Sequence, residues 1–393
     1  MKQLFYFFAV ILLLSLWGCN KQKKIFKAKY VVDINDPINV IIDDFIYDID
    51  TIRLEVTDES LMKNIEITHI MDERLYILTN NATAVHIFDL KGKYIAKIND
   101  VGQGPKEYIK IHEVQIDPVN NRIIITDNFS RRILIYNKDG KQTDVFNLNF
   151  HPSSISPYKD GYINSDASKD YYKNPEMDNY HIHFLDSTGL FVSSAIEKEN
   201  NNEVILWSSH NVDILRYGDI LYHPKLSNVV YKIFDGGIVP YYEFNNRSKY
   251  KIMTDKEMKD FEYEYGKKNT LAEKEEQGYL LTWGGIFDMG DFTLFIFKGW
   301  MDIYRHLYYN KKTSKTYFID PMITEEEQYT VKFFFYRVRT VYDERIYVAP
   351  SDYIINEVKG KINISDKKIS EFLNNTNFDS NPLLVSFKLK FPE

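Results

Sequence analysis

Cysteine is almost absent. Cys19 is the only one in 393 residues, so no disulfide can close within the chain and no Cys-based zinc site can form. Glycine is scarce, at 17 residues against 30 Tyr and 26 Phe, and no low-complexity segment occurs. That balance favours strands over flexible linkers. A cationic excess is also missing. The 49 Lys and Arg are outnumbered by 56 Asp and Glu, for a net charge of −7, and the basic residues are scattered. Nucleic-acid binding normally needs a basic face, because phosphate neutralisation dominates its affinity, so no nucleic-acid partner is expected. Neither a Gly-x-Ser-x-Gly elbow nor a Ser/His/Asp arrangement is present. Long apolar runs are confined to Leu4–Trp17, which is too short to span a bilayer as a stable helix and suits a signal-peptide core.

That run ends in Leu16-Trp17-Gly18-Cys19. It resembles the bacterial lipobox, with Trp17 standing where a small residue is usual. The resemblance implies a covalent lipid at Cys19, cleavage just before it, and a membrane partner reached through the acyl chains, several of which are needed for firm anchoring. Residues 1–19 then form the signal peptide and 20–29 a polar tether. No Asp follows Cys19 directly and no acidic run follows it. By the same resemblance, an outer-membrane lipoprotein facing the periplasm is expected. No other cofactor is predicted.

Residues 74–93 and 122–141 are one pattern written twice, 48 positions apart. Arg74-Leu75-Tyr76-Ile77 aligns with Arg122-Ile123-Ile124-Ile125, and Lys91-Gly92-Lys93 with Asp139-Gly140-Lys141. Gly189 and the Asp235-Gly236-Gly237 turn continue the period, and Glu344-Arg345-Ile346-Tyr347-Val348 echoes Glu73-Arg74-Leu75-Tyr76-Ile77. Short apolar runs broken by turns at this spacing are the mark of propeller blades. The predicted fold is all-β: a six-bladed β-propeller over 30–393, with strands near the closure from 30–34 and 52–56. A final strand runs from Leu383 to Leu389, and one blade is shared between the termini so that no sheet edge is exposed. Two capping boxes, Thr254-Asp255-Lys256-Glu257 and Thr270-Leu271-Ala272-Glu273, predict a helical insertion over about 254–278.

Ile125-Thr126-Asp127-Asn128 and the run from Arg131 to Gly140 resemble an NHL-type repeat. Gly102-Gln103-Gly104-Pro105-Lys106-Glu107-Tyr108 resembles the inter-blade G-x-G-P-G-E-[YF] motif of that group, with Lys106 replacing the third glycine. Together with the lipobox and Asn381-Pro382-Leu383-Leu384, the pattern is similar to the six-bladed β-propeller lipoproteins of Bacteroidetes. The resemblance implies a fold and an envelope location, because that family has no established common activity. Read physically, the two glycines permit unusual backbone, Pro105 fixes the crossing between blades, and Tyr108 wedges between sheets.

Candidate chemistry is thin. His181 and His183 alternate onto one strand face, where they could ligate a metal with help from elsewhere. Asp127 and Asn128 end a blade strand and could face the channel, although turn capping is the commoner role. Trp283, followed by two glycines, could stack a sugar ring. The expected function is a binding module for an envelope protein, a peptide or a glycan. The alternative is a metal-dependent hydrolase or lyase acting on carbohydrate or lactone substrates in the central channel.

Overall fold

The computed structural model describes residues 27–38, 40–79, 81–165, 175–198, 212–215, 218–247, 249–254, 270–282, 285–298, 304–321, 328–335, 337–361, 369, 371, 373 and 381–391. Among these, no helix is long and apolar enough to cross a membrane.

Six antiparallel sheets follow one another along the chain. Blade 1 spans 65–98, blade 2 spans 113–147, blade 3 spans 154–197, blade 4 spans 212–245 and blade 5 spans 285–319. Blade 6 combines Val338–Tyr342, Arg345–Val348 and Leu383–Leu389 with an outermost strand, Ile46–Arg53, from the N-terminal side. Its register pairs Ile52 with Leu384 and Arg53 with Leu383. The first strand of each blade is innermost, and these strands touch across the 1/2, 2/3, 4/5, 5/6 and 6/1 seams. The molecule is a six-bladed β-propeller, closed by strands from both ends of the chain.

The apolar runs explain where the core sits. Strand Arg122–Asp127 is buried at all but its first residue, because both faces of a blade pack against neighbours. The buried side chains form six clusters, one at each seam between adjacent blades. The repeat also fixes the turns. In blades 1 to 3, Asp89, Asn137 and Asp186 each turn a side-chain oxygen onto two backbone N–H groups beyond them. Gly92, Gly140 and Gly189 follow at φ +85°, +79° and +82°, where a side chain would be strained.

Two expectations need correction. Tyr30–Asp33 does not serve the closure: it adds a fifth, parallel strand to the outer edge of blade 4, pairing Tyr30 with Tyr242 and Asp33 with Asn245. The closing strand is Ile46–Arg53, so the run expected at 52–56 overlaps it only at its first two residues. An edge strand can satisfy any unpaired sheet edge, and here the Tyr30, Tyr241 and Tyr242 rings pack together, their centroids 4.9 to 5.4 Å apart.

Of the insertion expected at 254–278, residues 255–269 lie outside the described residues, while Thr270–Glu276 is helical. Tyr279–Leu280 then pairs in parallel with Lys251–Ile252. Glu275 and Asp320 both bind the guanidinium of the buried Arg305, the latter at 2.7 Å, which fastens this helix to blade 5.

Candidate functional site

The Gly102–Tyr108 segment is a joint between blades 1 and 2. Tyr108 is fully buried in the seam cluster, and its hydroxyl donates to the Thr83 carbonyl at 2.8 Å. Glu107 folds back so that its carboxylate accepts from the Gly104 N–H at 2.7 Å. Neither Gly102 nor Gly104 has a positive φ, so their requirement is space. A Cβ on Gly102 would lie 1.9 Å from the Glu107 carboxylate and one on Gly104 2.9 Å from it. Arg132 then donates to the Gly104 and Glu107 carbonyls at 2.6 and 2.8 Å. Pro105 lies inside this clasped loop.

Asp127 is fully buried and accepts from Ile109 N at 2.8 Å and Phe129 N at 2.9 Å, and from the Ser130 hydroxyl. It thus caps its own turn and ties the end of the joint to blade 2. Asn128 meets His151 Nδ1 through its side-chain oxygen at 3.0 Å, and Arg131 Nε donates to Nε2 of the same ring at 3.0 Å. That pattern places the imidazole proton on Nδ1.

His181 and His183 share the strand Tyr180–Leu185. His183 is buried, its Nδ1 lies 2.9 Å from the Ser194 hydroxyl, and burial pushes its pKa down to about 3. Among the described residues, no three His, Cys, Asp or Glu side chains gather closely enough to hold a metal ion. Trp283 and Cys19 lie outside the described residues.

Around the axis, side chains of the inner strands latch blade to blade. His69 Nε2 bonds the Val114 carbonyl at 2.8 Å across seam 1/2, and the Ser154 hydroxyl donates to Glu113 at 3.0 Å across seam 2/3. At seam 4/5, Asp213 accepts from Asp288 N at 2.7 Å. Burial drives the His69 pKa down to about 4 and raises the Asp213 carboxyl to about 7. His69 is therefore neutral at pH 7, with its proton on Nε2 facing the carbonyl.

The seam between blades 6 and 1 is different. Arg339 Nη1 donates to the Glu66 carbonyl at 2.8 Å, and Arg337 Nη2 meets the Glu66 carboxylate at 2.9 Å. Beside this pair a cleft of about 190 Å³ opens where the inner strands of blades 1 and 6 begin. Lys63, Asn64, Glu66, Arg337, Arg339 and Asp352 supply its polar lining, and Ile65, Ala349, Pro350 and Pro382 its apolar wall. Three of the lining side chains are cationic and two are acidic, and one of the acids is already engaged by Arg337.

Asn381 holds this geometry. Its side-chain oxygen accepts from Met62 N at 2.8 Å, and its amide donates to the Glu55 carbonyl at 2.8 Å. It thereby fixes the backbone leading into Lys63. Lys63, Glu66, Arg337 and Arg339 were not singled out from the sequence. The available signal was Arg337-Val338-Arg339, two like charges on one face at the start of a strand.

The fold and these seams define the class, a six-bladed propeller stapled by side chains around its axis. The sequence matches the family described as a domain of unknown function, DUF4934, over residues 29–388, and the chain belongs to that family. In structure it is similar to a protein of Bacteroides fragilis described as exported, at TM-score 0.73 and 17% identity, covering 92% of this chain and 99% of that one. A member of the DUF4221 family from Bacteroides vulgatus superposes at TM-score 0.51 and 12% identity, covering 88% of this chain and 97% of that one. No curated protein matches the sequence.

Proposed function

We propose that this chain is a lipoprotein anchored through Cys19 in the outer membrane and facing the periplasm. On this reading its propeller binds a protein, peptide or glycan at the face where the inner strands begin. The cleft at the blade 6/1 seam carries this reading, because it brings five charged side chains and an apolar wall to one small concavity. Concave sites with a few convergent polar groups on a rigid frame suit recognition. The envelope setting is supported by the Leu16–Cys19 lipobox pattern and by the exported description of the B. fragilis relative.

Intact lipoprotein extracted from membranes should retain a reproducible partner on pull-down. A folded, monodisperse sample that retains none would count against the binding role. Labelled palmitate should be incorporated by the wild type and lost in Cys19→Ala, and unchanged labelling would remove the anchor from the account.

A further inference from the structure

We infer that the outer edge of blade 4, where strand Tyr30–Asp33 begins, docks with its preceding lysines onto anionic lipid headgroups, and that this turns the cleft face away from the membrane. The inference rests on the lipid anchor at Cys19 proposed above and adds a second, electrostatic contact to it.

Charge along the sequence is the first observation. Lys21, Lys23, Lys24, Lys27 and Lys29 fall within nine residues, and Asp33 is the first acidic residue of the chain. The chain as a whole carries −7, so this basic start is set against an acidic body. Clusters of four or more Lys or Arg beside a lipid anchor are attracted to anionic headgroups and add to what the acyl chains supply. Eight positions separate Cys19 from Lys27, a reach of at most about 29 Å. That is about the length of one nine-residue strand, so the start of the extra strand on blade 4 stays close to the bilayer.

The structure supplies the second. Lys27 and Lys29 are exposed. Lys29 Nζ lies 4.9 Å from the Tyr30 ring centroid and 5.2 Å from that of Tyr241, and Lys232 Nζ lies 5.6 Å from the Tyr241 ring. Val31 beside them is 57% exposed. Tyrosine rings flanked by lysines suit the headgroup layer, where one end of the side chain is apolar and the other wet. Acids near this end are engaged, Asp219 by Lys232 at 2.7 Å and Asp235 by Lys159 at 2.6 Å. Farther along the same edge the sign changes, with exposed Glu243 level with Val31 and exposed Asp33 beyond it.

Strand direction supplies the third. The inner strands begin at the cleft face, so the fourth strand of an up-and-down blade ends there. Gly237–Asn245 is that strand in blade 4, and Tyr30–Asp33 runs parallel to it. The basic end of the edge therefore points to the face opposite the cleft, and its acidic end to the cleft face. Docking by the basic end leaves the cleft open to soluble partners.

Residues 20–393 contain every described strand and no cysteine, so they can be made without lipid and labelled at one introduced thiol. This chain should co-sediment with phosphatidylglycerol vesicles and not with phosphatidylcholine vesicles. Salt at about 1 M, which screens charge within about 3 Å, should release it. A lysine near such a surface is worth about fivefold in partitioning, so Lys27→Gln with Lys29→Gln should lower binding about 30-fold. Lys110→Gln, just before the inner strand of blade 2 on the cleft face, should leave it unchanged. A polarity-sensitive dye at Val31→Cys should brighten on phosphatidylglycerol vesicles, and the same dye at Tyr353→Cys, next to Asp352 of the cleft, should not.

If phosphatidylglycerol vesicles are bound no better than phosphatidylcholine vesicles, the headgroup contact falls, while palmitate labelling separately decides the anchor. Binding unchanged in the double lysine variant would overturn the site. A dye response at Tyr353 rather than at Val31 would overturn the orientation.

Discussion

Tyr108 shows what one side chain is asked to do between two sheets. Its ring fills seam 1/2 and its hydroxyl ties back to Thr83. Tyr108→Phe should lower stability by about 1 kcal/mol, the usual net worth of such a bond. Tyr108→Ala should cost about 3–5 kcal/mol through the cavity it leaves, as read by denaturant unfolding.

Buried imidazoles carry a second consequence. Burial holds His69 and His86 at about 4, and His183 and His306 at about 3, against 6.5 in the unfolded chain. Between those values the unfolded state binds more protons, so stability is present above pH 6.5 and is lost as pH falls below it. Asp213 acts in the opposite sense. Its carboxyl is raised from 3.8 to about 7, so over that window the folded state keeps a proton the unfolded state has released, and stability falls as pH rises. Four imidazoles outweigh one carboxyl. The melting temperature should therefore drop from pH 7 to pH 5, and Asp213→Asn should steepen that drop by removing the opposing group. A flat profile would contradict the assignment of neutral buried histidines.

At the scale of elements, the blades were legible because each is encoded twice. The short apolar runs of strands such as Arg122–Asp127 and the Asx-glycine turns at Gly92, Gly140 and Gly189 recur with one period. Gly140→Ala should cost about 1–2 kcal/mol, since it places a side chain in a left-handed conformation. The turn is also crowded, because the new Cβ would lie 3.0 Å from Ile87.

What was not legible is which edge a lone strand joins. Tyr30–Asp33 and Ile46–Arg53 read alike locally, and only contacts over two hundred residues distant sort them, such as Asn245 with Asp33 and Arg345 with the Asp48 carbonyl at 2.6 Å. The two differ in consequence. Deletion of residues 20–33 should keep the ring of six blades closed but lower stability in denaturant unfolding, because it removes the buried Val32 and uncovers the outer edge of blade 4. Deletion through residue 53 should strip blade 6 of its outer strand and give aggregation on size exclusion, as unpaired edges do.

The whole molecule explains why the cleft escaped the sequence. Its cations come from the beginnings of two inner strands, Lys63 on one side and Arg337 and Arg339 on the other, 274 positions apart for the outer pair. Closing the ring brings them together, and Asn381 and Glu66 hold them there. By contrast, the motifs that do stand out in the sequence are engaged in construction. Gly102, Gly104 and Glu107 form the clasped joint, and Asp127 caps a turn.

If the propeller binds its partner at the blade 6/1 cleft, as proposed, reversing a charge on the lining of that cleft must remove binding. The most direct test is comparative pull-down from envelope extracts with wild type and Arg337→Glu, matched for melting temperature. The wild type should retain a partner or glycan that the charge reversal loses. Equal retention by both would contradict it.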